Sequence, residues 1–149
     1  MKSFIAIALL TVMLAGCEPG SPGAIARDTP EELAKEDTLD LCNAYGVSAK
    51  YNMAKTSEIG AELLRRKALS ADEMSLVMQG KVEPGVGICA VIAAWGSPDF
   101  VTHVESASHE RYEYTYEPVD TDCKLCKPSY VYFTDGVVTR IRSRTIVRE

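Results

Sequence analysis

Pro98 divides this chain into a half that reads as helix and a half that reads as strand. Just before it, Ile88-Cys89-Ala90-Val91-Ile92-Ala93-Ala94-Trp95 is apolar nearly all round. That pattern predicts a buried helix. Gly85 and Gly87 open it, Gly96 stops it, and Pro98 forbids its continuation. Upstream, Thr29-Pro30-Glu31-Glu32 is a helix start: Thr29 caps, Pro30 takes the first helical position and Glu32 completes a capping box. Leu33, Leu41, Ala44 and Tyr45 form that helix's apolar side, and Gly46 is its expected stop. A second helix is expected from Tyr51 to Lys67, buried through Met53, Gly60, Leu63 and Leu64. Ser70-Ala71-Asp72-Glu73 is another capping box. It opens a helix that ends at Gly80 and turns Met74, Val77 and Met78 to the core, with Leu69 and Met74 as a hydrophobic staple.

Downstream of Pro98 the period falls to two. From Glu110 to Glu117, Tyr112, Tyr114 and Tyr116 lie on one face and Arg111, Glu113, Thr115 and Glu117 on the other. Ser129 to Thr134 is a second strand, and Asp135-Gly136 is a strong hairpin signal. Val137 to Val147 is a third, with Arg140, Arg142 and Arg144 on one face. The fold class that follows is α+β, with helices on one face of a three-stranded antiparallel sheet. The arginine row invites an anion-binding reading. A solvated face, with the arginines across from Glu113 and Glu117, is the plainer one.

The other strong signal is at the start. Met1-Lys2, an apolar run from Phe4 to Leu14 and then Leu14-Ala15-Gly16-Cys17 carry the marks of a cleaved secretory signal. The apolar run is shorter than the roughly 20 residues that span a bilayer. The last four residues resemble the lipobox of bacterial lipoproteins, in which the cysteine is lipidated and the chain is cut before it. On that resemblance residues 1–16 are a signal peptide and Cys17 is the lipidation site. Glu18, rather than Asp, then favours an outer-membrane anchor facing the periplasm. The Pro/Gly-rich residues 17–29 read as a flexible tether, and residues 30–149 as one α+β domain. Loss of the first 16 residues would leave 133 of the 149 and a net charge of −6, because Lys2 leaves with them. An acidic chain without a basic run argues against nucleic acid as a partner. It also leaves membrane attachment to the acyl chains on Cys17, with no polybasic help.

Setting Cys17 aside, Cys42, Cys89, Cys123 and Cys126 remain. In an oxidising compartment an even set reads as disulfides. Four cysteines allow three connectivities. Cys123 and Cys126 are near enough to pair locally, and Cys42 and Cys89 would then pair across the domain. Two sharper readings compete. Cys123-Lys124-Leu125-Cys126 has the spacing of a redox CxxC, but Pro128 and strand formers follow it where such motifs need a helix. Cys123, Cys126, His103 and His109 have zinc-ligand chemistry, but the histidine spacing does not suit a zinc finger. Structural bridges are therefore expected, with no metal or cofactor.

The motif order also resembles that of the SmpA/OmlA (BamE-like) outer-membrane lipoproteins. Gly85-Val86-Gly87 followed by an apolar helix ending in Trp95-Gly96-Ser97-Pro98-Asp99 matches their "GMT…LGxPd" stretch. Tyr112 and Tyr114 fall in their "W-x-Y" strand, and Tyr132-Phe133-Thr134-Asp135-Gly136-Val137-Val138 in their "vyFxdGkV" hairpin. The likeness covers about residues 82–142. Residues 30–80 add helices that the short members of the family lack. The resemblance implies a two-helix, three-strand core, no enzymatic activity, and a role in binding an envelope protein during outer-membrane assembly or maintenance. Two other functions fit the same residues. One is a periplasmic inhibitor or small-ligand binder that uses the tyrosine-bearing strand, with Tyr112, Tyr114 and Tyr116, or the arginine face. The other is a thiol oxidoreductase built on Cys123 and Cys126. No nucleophile, base and acid set stands out that would make the chain an enzyme of another kind.

Overall fold

A computed structural model describes residues 20–104, 108–117, 125–126, 128–143 and 146–147. The first elements are two helical turns, α1 (Pro22–Ile25) and α2 (Pro30–Leu33), then α3 (Thr38–Lys50), α4 (Thr56–Arg65), α5 (Ala71–Met78) and α6 (Ile88–Trp95). The strands are β1 (Phe100–Val104), β2 (Arg111–Tyr116), β3 (Leu125–Cys126), β4 (Ser129–Thr134), β5 (Val137–Ser143) and β6 (Ile146–Val147). Four of them form an antiparallel sheet in the order β1-β2-β4-β5, and β3 pairs with β6 in a separate ladder. The fold is therefore α+β, with a four-stranded sheet rather than the expected three. The extra strand is β1. It has no alternation of burial, since all five residues are exposed, so the usual period-two signal is missing.

Capping explains where the helices begin. The expected boxes at Thr29/Glu32 and Ser70/Glu73 are both formed. The helix expected to run from Pro30 to Gly46, however, breaks after Leu33. Asp37 then caps a new start, accepting from the Leu39 and Asp40 N–H groups at 2.7 and 3.4 Å. The Arg66 guanidinium bridges the gap by donating to the Leu33 carbonyl, the Glu36 carbonyl, the Thr38 hydroxyl and Glu62. Hydrogen bonds from Arg65 and Arg66 hold the Glu62 carboxyl down to about 2. Gly46 is not a stop. It lies within α3, where a Cβ would run into the Ala93 carbonyl oxygen of α6. Glycine there sets how closely α3 and α6 approach.

Three further expectations change. The tether does not extend across 21–28: Ser21 caps α1 and Ile25 is fully buried. A Ser-Pro-Gly sequence is both a linker composition and an N-cap followed by Pro at the first helical position. The second helix starts at Thr56 rather than Tyr51, and Ile59, Gly60 and Leu63 are its buried residues, while Met53, Leu64 and also Met78 of α5 are exposed. The third expected strand ends at Ser143, and residues 146–147 join the β3 ladder instead.

One buried cluster runs from Ile25 through α3, α4 and α6 to Tyr114, Val131, Phe133 and Val138 of the sheet. The helices thus cover one face of the sheet. Cys42 and Cys89 form a disulfide between α3 and α6, with Cα atoms 5.3 Å apart and a separation of 47 residues. A loop of that length contributes about 4 kcal/mol in the chain-entropy model. Gly96 ends α6 at φ 86° and ψ −172°, a region open essentially to glycine alone. Asp135 and Gly136 both take positive φ, as a two-residue hairpin turn requires.

Candidate functional site: the open face and edges of the sheet

Strand register sorts the sheet's side chains into two faces. Tyr112, Tyr114 and Tyr116 pair with Phe133, Val131 and Ser129 across β2 and β4, on the face the helices cover. Tyr114 is buried, with its ring 4.7 Å from that of Phe133. Tyr116 meets Trp95 edge-on at 5.5 Å and donates to the Gly96 carbonyl at 3.2 Å. Burial pushes the Tyr116 phenol well up from its ordinary value. Tyr112 stacks on His103 at 5.0 Å and donates to the Glu110 carboxylate at 2.5 Å. Tyr114 and Tyr116 thus pack between sheet and helices, while Tyr112 is half-buried against His103 and Glu110.

The opposite face is open. Its cross-strand rows run Thr102–Glu113–Tyr132–Arg140 and Phe100–Thr115–Tyr130–Arg142. The expected pairing of the arginines with Glu113 and Glu117 does not form among the described residues, because β4 lies between β2 and β5. Arg140 instead sits 4.2 Å over the Tyr132 ring, an arrangement worth about 0.5–1 kcal/mol at an exposed site. Arg142 lies opposite Tyr130 and, with Glu113, Tyr130 and Tyr132, lines a concavity of about 490 Å³. Arg144 lies outside the described residues. The face therefore carries Arg111, Arg140 and Arg142, the Glu113 carboxylate, and the Phe100, Tyr130 and Tyr132 rings.

The two edges of this sheet are finished differently. Along β5, the segment before α6 adds a partial fifth strand. Gly85 N–H donates to the Val138 carbonyl and Val138 N–H to the Val86 carbonyl, both at 2.8 Å, and Ile88 N–H donates to the Gly136 carbonyl at 3.2 Å. Glu73 holds that segment by accepting from Gly87 N–H at 2.7 Å. Burial works to raise the Glu73 carboxyl, but the hydrogen bonds from Gly87 and Ser70 win, and its pKa falls below the ordinary value. Along β1 no described residue lies on the outer edge. Phe100, Val101 and Val104 are 58%, 56% and 42% exposed. Sequence reasoning missed this edge. Its signal was a short run of β-branched and aromatic residues, Phe-Val-Thr-His-Val, without charge.

The remaining chemistry-bearing residues are dispersed. His109 Nδ1 lies 2.8 Å from the Asp135 carboxylate, which also accepts from Glu110 N–H at 3.0 Å. The His109 contact is the main cause of a lowered Asp135 carboxyl. His109 thus joins the β2 start to the β4–β5 turn while His103 packs on Tyr112, and no cluster of three His, Cys, Asp or Glu side chains suited to a metal occurs among the described residues. Cys126 pairs through its backbone with Ile146. Cys17 and Cys123 lie outside the described residues. Between α3, α5 and α6 a groove of about 490 Å³ is lined by Asn43, Lys50, Val77, Gln79, Ala93 and Trp95, among others. No described helix is long and apolar enough to cross a membrane. No protein-family model matches the sequence, and neither does any curated protein or solved structure.

Proposed function

We propose that this chain is a bacterial envelope lipoprotein, anchored in the outer membrane by acyl chains on Cys17, whose periplasmic domain is a non-enzymatic protein-binding module. The observation that carries this reading is Leu14-Ala15-Gly16-Cys17 behind a short apolar run, a pattern that fits secretion and lipidation. What supports a BamE-like reading of residues 82–142 is the motif order: the apolar α6 with its Gly96-Ser97-Pro98 stop, Tyr112 and Tyr114, and the Asp135-Gly136 hairpin. In this reading the fourth strand and the helices of residues 30–80 are additions to that core, and the role is outer-membrane assembly or maintenance. Fold likeness alone does not give the partner.

Two measurements test the proposal. Mass spectrometry of the mature N-terminus should find residue 17 first and carrying diacylglycerol, and Cys17→Ser should leave the chain uncut and unacylated. A mature chain that keeps residues 1–16 would refute the anchor. Crosslinking in intact cells from Arg142 on the open face should recover the same envelope protein in repeated experiments. Recovery of none would refute the binding module.

A further inference from the structure

We propose that β1 pairs antiparallel with β1 of a second copy of this chain, about a two-fold axis through Thr102, joining two four-stranded sheets into one of eight strands. An uncovered edge strand presents a row of free N–H and C=O groups, and proteins usually blunt it with lysine, proline, a bulge or a covering segment. Among the described residues β1 has none of these: its five residues carry no Lys, Arg or Pro, its pairing with β2 runs without a register shift, and no described segment lies along its outer edge. β5 has both a register shift in its pairing with β4, between Tyr132 and Phe133, and the covering segment along Gly136–Val138.

The choice of a second copy rests on register and closure. Pairing centred on Thr102 sets Phe100 opposite Val104 on the open face and Val101 opposite His103 on the other. Such aromatic and β-branched pairs stabilise adjacent strands. The joined sheet would then end on two β5 strands, each covered by residues 85–88 along Gly136–Val138. A foreign strand laid on β1 would instead bring a new outer edge of its own. A five-residue strand is only about 17 Å long, so the interface is small beside the roughly 1,200–2,000 Å² of stable complexes. The dimer is accordingly weak and concentration-dependent. Acidic residues flank the strand in sequence at Asp99 and Glu105. Salt screens like charges, so association strengthens as ionic strength rises.

Cysteine crosslinking and sedimentation of the detergent-solubilised full chain test this together. Thr102→Cys should give a reductant-sensitive band at twice the chain's mass. Arg140→Cys on β5 and the unsubstituted chain should not. The unsubstituted chain should sediment as a reversible dimer that Val104→Lys weakens at least tenfold. Circular dichroism of Val104→Lys should match the parent, because Val104 is an exposed edge residue. A parent that stays monomeric at every concentration, a dimer that Val104→Lys leaves unchanged, or a Thr102→Cys adduct only with a chain of different mass would each overturn the proposal.

Discussion

The β5 edge and the β1 edge belong to one sheet but are embedded in different ways. β5 is tied through residues 85–88 to Glu73 of the α5 cap, and through α6 to the Cys42–Cys89 bridge. Its Val138 side chain is in the core. β1 overhangs the helical layer: Val101, on the helix-side face, is more than half exposed. An edge woven into the core contributes to stability, whereas a bare edge adds little to the stability of the single chain and leaves its backbone groups to a partner.

The largest expected difference comes from the bridge that fastens α6 to α3. Reduction, or Cys42→Ala with Cys89→Ala, should lower unfolding free energy by about 4 kcal/mol in urea titration. A loss below about 1 kcal/mol would mean that α6 is fixed by packing alone and that the covered edge does not depend on the bridge. Next is a matched pair of strand substitutions. Val138→Ala should cost roughly 1–3 kcal/mol as a buried truncation, and Val104→Lys within about 0.5 kcal/mol as a surface change. Equal losses in dilute solution would erase the contrast between the edges.

Smaller again is Glu73→Gln, which weakens acceptance from Gly87 and Ser70 and should cost on the order of 1–2 kcal/mol near neutrality. The sign with pH follows from the lowered carboxyl. Its stabilisation is fully present above the unfolded value of about 4.3 and is lost as pH falls through the folded value. Glu62, held at about 2, loses its share in a window below about 4.3. Melting temperature should therefore decline below that pH, and less steeply in Glu73→Gln than in the parent.

Much of the frame was legible because it rests on local chemistry. Thr29/Glu32 and Ser70/Glu73 satisfy their own N–H groups, Gly96 and Pro98 end α6, and Asp135-Gly136 supplies the positive φ of the hairpin turn, which His109 and Glu110 then brace. What was not legible depends on neighbours far along the chain. Gly46 is read as a stop from sequence but is required by the close passage of Ala93. The arginine face was placed by alternation, yet its partners are Tyr130 and Tyr132, because strand order puts β4 between Glu113 and Arg140. The tyrosine row was visible, but which face the helices would cover was not. β1 escaped because all five of its residues are exposed, which is the same property that makes it a candidate interface.

Hydrogen exchange on the full chain, followed strand by strand at low and high protein concentration, compares the two edges in a single experiment. β5 amides around Val138 should be strongly protected at both concentrations. The β1 amides that point away from β2 should exchange fast when dilute and become protected when concentrated. β1 protection that is already equal to that of β5 in dilute solution, or that does not change with concentration, would contradict both the bare edge and its pairing with a second copy.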